Sequence, residues 1–157
     1  MTVSKTIGDY TYSIELLNLF DHSDFGQRYV SVLMSVASRH DDIKEKLKAA
    51  ADLKSKDDIS VDDALEISKL DREATALCVA RLSSDEREQL KQMRMTAVVE
   101  GKCQAKRISD ESGASKPIYM KEVFNNHFRN HSNPREMSEV MEWALAENVK
   151  GFLQSEA

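Results

Sequence analysis

Turn-forming residues are scarce: the chain has two prolines and five glycines in 157 residues. Folds built from many short strands need such residues every 8–12 positions or so, which excludes most all-β architectures and points to helices. Cysteine is nearly as rare. Cys78 and Cys103 are too few for a disulfide framework and fit a reducing compartment. No apolar run approaches the roughly 20 residues that cross a membrane, and Met1–Lys5 lacks the apolar stretch of a signal peptide. Positive charge is not in excess either: 22 basic residues face 27 acidic ones, for a net charge of −5. A general nucleic-acid binder draws its affinity from neutralising phosphates, so that class is disfavoured. What is present suffices for a core, with 41% hydrophobic and 31% charged residues. The expectation is a soluble intracellular chain, mainly α, forming a single domain over 1–157 with five to six helices and a small N-terminal β-hairpin.

The hairpin is read over 3–16. Tyr10, Tyr12, Ile14 and Leu16 alternate with polar residues, the period of a half-buried strand. Gly8-Asp9 between this run and Val3–Ile7 suits a tight turn. Helical spacing takes over from Ser23, where Phe25, Tyr29, Val32, Leu33 and Val36 form one stripe, with Asp21 or Ser23 as cap. The helical part is expected to fill 23–101. A second helix is read over 41–53. A third is capped at Ser60-Val61-Asp62-Asp63, with Leu65, Leu70, Ala74, Leu77 and Cys78 inward. A fourth opens with Ser83 and Glu86 in capping-box spacing and ends near Gly101. The stretch 102–116 reads as a loop or a helix extension. A C-terminal helix pair follows over 117–153. Pro117 is placed to open its first helix, with Met120, Val123, Phe124, His127 and Phe128 on one face. Asn133, Pro134 and Glu136 mark the start of the second.

No motif points to catalysis. The pairs Asp41-Asp42, Asp57-Asp58 and Asp62-Asp63 stand near expected helix starts, where acidic groups offset the helix dipole. There is no phosphate-binding glycine loop and no nucleophile elbow. His127 and His131 are four apart, but zinc needs three or four ligands and no second cluster accompanies them. We therefore expect no catalytic residues, no cofactor and no metal. His127 is expected to pack at a helix interface, His131 to cap a helix end, and Cys78 to act as a small buried hydrophobe. Lys91, Arg94, Lys102, Lys106 and Arg107 concentrate basic charge, but no aromatic residue lies between Tyr29 and Tyr119 to stack on bases. A solvated helix face explains them more simply.

Aromatic residues gather near the C-terminus. Trp143 lies off the main stripe of the last helix, and two readings of it stay open: an interface residue, or core against the hairpin. The density of aromatics nominates Tyr119, Phe124, His127, Phe128, Trp143 and Phe152 as partner-binding candidates. Chemistry alone thus reads as a binding module.

The ends of the chain carry a resemblance. Ile7–Leu17 reads IGDYTYSIELL, a glycine, a strand and then leucines; Val123–Arg129 reads VFNNHFR; Trp143–Asn148 reads WALAEN, with Phe152 beyond. This layout resembles the tail assembly chaperones of long-tailed bacteriophages, over about 60–70 residues at the two ends. Arg129-Asn130 stands where that family often has glycine after the His-Phe pair. The resemblance implies a protein of the host cytoplasm that binds the tape-measure protein, with tail tube subunits as a further client, until the tube polymerises. It implies no membrane partner and leaves room for self-association. The alternative is a small phage regulatory or host-takeover protein that binds nucleic acid or a host enzyme through Lys91–Arg107.

Overall fold

The computed structural model describes the backbone of residues 1–110 and 113–154, and their side chains except those of 19–22 and 151–154. Two compact units are present: Met1–Gln27 together with Lys91–Gln154 (unit 1), and Arg28–Leu90 (unit 2). Among the described residues there are six helices and four strands, a mainly α chain with an N-terminal hairpin.

Unit 1 is built on an antiparallel sheet. The strands β1 (Thr2–Ile7), β2 (Tyr10–Glu15), β3 (Gln104–Arg107) and β4 (Lys116–Pro117) lie in that order. Ile7 pairs with Tyr10 across a two-residue turn. Gly8 supplies the positive φ, +61°, that this turn requires. Side chains alternate across a sheet, and directly paired residues point the same way. The register therefore sorts the residues into two faces. Ile7, Tyr10, Tyr12, Ile14, Ala105, Arg107 and Lys116 share one face, and Ser4, Thr6, Thr11, Ser13, Gln104 and Lys106 share the other. The first holds the buried Ile7, Tyr12, Ile14 and Ala105; the second is polar apart from Pro117, which pairs with Gln104. The helices α5 (Lys121–Asn130) and α6 (Pro134–Gln154) complete the unit and pack on each other, with α6 also against β1.

The stretch 102–116 departs from its expected loop or helix extension. The helix α4 (Ser84–Glu100) stops in a Schellman motif: Cys103 N donates to Val98 O and Lys102 N to Val99 O, both at 3.1 Å. Lys102 takes the left-handed position, φ 47°. A side chain at position 101 would collide with Ala97 O and crowd Glu15 O, so glycine stands where Glu15 N donates to Gly101 O at 2.7 Å. The chain then runs on as β3 beside β2. Pro117 belongs to β4 and not to a helix; α5 starts at Lys121.

Unit 2 is helical. It holds most of α1 (Leu19–Ala37), all of α2 (Asp41–Lys54) and α3 (Val61–Ala80), and the start of α4. The helix α1 begins four residues before Ser23, directly after Asn18, a residue type favoured at helix N-caps. The antiparallel α2–α3 hairpin is laced by Arg81–Asp42 (2.7 and 2.8 Å), Lys46–Glu73 (2.8 Å) and Lys54–Asp71 (3.2 Å). The cap expected at Ser60 and the capping box expected at Ser83 both form, each as a reciprocal pair: Asp63 N donates to Ser60 Oγ and Ser60 N to the Asp63 carboxylate, and Glu86 N donates to Ser83 Oγ and Ser83 N to Glu86 Oε1. Leu65 was expected inward but is 65% exposed. The ion pairs set the end of α2 opposite Asp71, so the first turns of α3 run past their partner helix. No helix among the described residues is long and apolar enough to cross a membrane.

Candidate functional site

The inner face of the sheet carries the site. Tyr12 and Ala105 lie side by side across β2 and β3 and are buried, as are Phe124, His127 and Phe128 of α5. Positions 124, 127 and 128 share a helix face by their three- and four-residue spacing. Tyr12 Oη is hydrogen-bonded to His127 Nε2 at 2.9 Å. The Tyr12 ring stacks on Phe128 at 5.7 Å, and Tyr10 meets His127 edge-on at 4.6 Å. Ser132 donates to the carboxylate of Glu136, which lies where a side chain on Gly8 would be. The hairpin is thus held on the C-terminal helices at its turn and at its centre.

Electrostatics follow burial. The Tyr12 phenol is pushed up to about 12, chiefly because burial disfavours its anion, with the Ser132 hydroxyl acting the other way. His127 is held below its usual 6.5, first by burial and then by the nearby His131, with Glu136 opposing. Cys103 is buried and its thiol is pushed up to about 12. Both Tyr12 and Cys103 therefore keep their protons at neutral pH, and His127 favours its neutral form.

Tyr10, Arg107 and Lys116, on the same sheet face, remain toward the open edge. Together with His127, His131, Asn126, Ile118 and Val123 they line a cleft of about 460 Å³. That volume lies within the range of small-ligand pockets, about 300–1,000 Å³. Asp110 is the carboxylate among the described lining residues, and it lies against Gly113, where an added side chain would collide with it. Among the described residues neither Arg107 nor Lys116 forms an ion pair.

Of the sequence candidates, Phe124, His127, Phe128 and Trp143 are interior, so their aromatic surface is spent on the fold and not offered to a partner. Tyr119 is half-buried in the segment before α5. Phe152 falls in the last turn of α6, and its side chain lies outside the described residues. Met120 and Val123, expected on the inward face, are exposed. His127 packs on the hairpin and not between helices, while His131 does stand at the C-cap of α5. The ring centres of His127 and His131 are 6.3 Å apart, and among the described residues no group of three or more His, Cys, Asp or Glu is placed to hold a metal ion. The basic residues are dispersed: Lys91 and Arg94 sit on α4, the Arg94 Nε buried without a hydrogen-bond partner, while Lys106 and Arg107 point to opposite faces of β3.

Sequence reasoning missed Arg107, Lys116 and Tyr10 as cleft residues. The Tyr10–Tyr12 alternation placed both tyrosines on one face, but nothing local announced the strand that brings Arg107 beside Tyr10. Comparison with protein-family models, curated proteins and solved structures finds no match for this chain.

Proposed function

We propose that this protein is a non-catalytic assembly chaperone of a long-tailed phage. It binds the tape-measure protein in the host cytoplasm, with tail tube subunits as a further client, and keeps its client soluble until the tube polymerises. The supporting observation is the meeting of the two chain ends. The residues that carry the resemblance are more than a hundred positions apart, yet Tyr12 bonds His127 and Leu17 N donates to Asn148 Oδ1 at 3.0 Å. Short motifs at opposite ends that serve one packed unit are a single feature, and that strengthens the resemblance.

With Phe124, Phe128 and Trp143 interior, the grip on a helical client falls to other apolar groups. Val61 and Leu65 stand one turn apart on α3, 78% and 65% exposed. Such a pair is what one helix uses to hold another. Co-expression with the tape-measure protein tests the reading: the soluble client fraction is expected to rise with the parent chain and to fall back with V61E/L65E. Both positions are exposed, so the folding cost should stay within about 0.5 kcal/mol. A client as insoluble with the parent chain as without it would end this reading. Salt-dependent retention on DNA, lost in K102Q/K106Q/R107Q, would favour the regulator instead.

A further inference from the structure

We propose that the cleft beside α5 and the β3–β4 edge holds an extended acidic peptide segment, its carboxylate seated between Arg107 and Lys116 and an adjacent apolar side chain lying on Tyr10 and Val123. The inference concerns a second binding site and does not depend on which helical client the α3 face takes.

Charge complementarity carries it. The molecule has a net charge of −5, yet this cleft presents two cations that no described residue pairs. Lys116 stands opposite Ala105, and Arg107 lies two residues further along β3 on the same face. Diagonal neighbours of that kind sit about 7–8 Å apart, a span that two flexible basic side chains can close around one carboxylate. Exposed Arg107 and Lys116 lose little by being drawn together, and a partly enclosed cleft raises what a carboxylate gains over open water. Asn126 and His131 add polar contacts, and Asp110, the carboxylate among the described lining residues, lies against Gly113 and has an interaction of its own.

The rest of the lining argues for a peptide over a free ion. The Tyr10 ring, Ile118 and Val123 offer apolar wall that a phosphate or acetate ion would leave unused, and exposed Met120 precedes α5. The sheet ends at β4, whose outer side has no strand beside it among the described residues. An extended segment laid there reaches the cleft through side chains, since Pro117 has no N–H to offer it.

The test uses the full chain and two fluorescein-labelled decapeptides, one alternating Glu with Leu and Phe, the other with each Glu replaced by Gln. Fluorescence anisotropy is expected to show the acidic peptide binding at least tenfold more tightly than its Gln counterpart. R107Q/K116Q is expected to lose at least tenfold, with an unchanged circular dichroism spectrum, while K91Q binds as the parent does. Amide and ring resonances of Tyr10, Asn126 and His131 should shift on titration. Equal binding of both peptides, unaltered binding by a folded R107Q/K116Q, or shifts confined to α3 would each overturn the proposal. So would inorganic phosphate filling the cleft while the acidic peptide fails to bind, which would make this a small-anion site.

Discussion

The two units are held by different kinds of contact. In unit 1 a phenol, an imidazole and two phenyl rings interlock out of water, and Asn148 is fully buried, its Oδ1 accepting from Leu17 N and its Nδ2 donating to Ala144 O. In unit 2 an apolar core in which Val36, Ile43 and Leu90 are fully buried is rimmed by ion pairs that remain partly in solvent. The contrast matters because the two kinds fail differently. A buried polar group that loses its partner incurs its full desolvation cost, whereas an exposed ion pair exchanges one set of water contacts for another at little net change. Substitutions in the buried polar contacts of unit 1 should therefore cost more than substitutions in the exposed ion pairs of unit 2.

Each unit holds one buried cysteine, Cys103 in unit 1 and Cys78 in unit 2, so thiol labelling reads the two separately. The strongest way to break the comparison is Phe128→Ala. Removing a fully buried ring is expected to cost about 3–5 kcal/mol and to expose Cys103 to a thiol reagent well before Cys78. Tyr12→Phe keeps the ring and leaves His127 Nε2 unbonded; the expected loss is about 1–3 kcal/mol, seen as a lower denaturant midpoint. Glu86→Gln, in unit 2, removes a bidentate partner of Arg39 and weakens the α4 cap, an expected loss of about 1–2 kcal/mol. Lys46→Gln is expected to move the thermal midpoint least of all. If Lys46→Gln proves as damaging as Tyr12→Phe, the distinction between the units is wrong.

Acid sharpens the comparison without any substitution. His127 has a folded pKa below its usual 6.5, so the unfolded chain takes the proton first as pH falls. Its contribution to stability is complete above about 6.5 and declines below that, toward the lower folded value. Glu86 is lowered from 4.5 to about 2, first by its Arg39 hydrogen bonds and then by the Ser83 amide. Its contribution is complete above about 4.5 and is lost as pH falls toward 2. Hydrogen exchange followed down the pH scale should therefore show unit 1 loosening before unit 2, and His127→Gln should remove the upper step.

What was legible in the sequence was what is decided locally. Ser60 with Asp63, Ser83 with Glu86, and Asn133 before Pro134 each settle a helix start within four residues, and Arg135 N does donate to Asn133 Oδ1. The hairpin was legible for the same reason, through Gly8 and the Tyr10–Tyr12–Ile14 alternation. The strand at 104–107 was not, because four residues carry too weak a pattern and their partner Tyr10–Ser13 lies some ninety residues earlier. The cleft went with it. The aromatic cluster near the C-terminus was seen, but density of rings marks a core as readily as an interface; only the packing of Phe124 and Phe128 under Tyr12 decides between them.

The discontinuity of unit 1 sets an order of events at the ribosome. Its hairpin is translated before unit 2, but Ala105, His127 and Phe128, on which Tyr12 packs, are translated after it. Unit 2, encoded in one uninterrupted run, can settle in the meantime. The hairpin strands are thus locked after the helices that follow them, and a nascent chain halted before α5 would still display their apolar face.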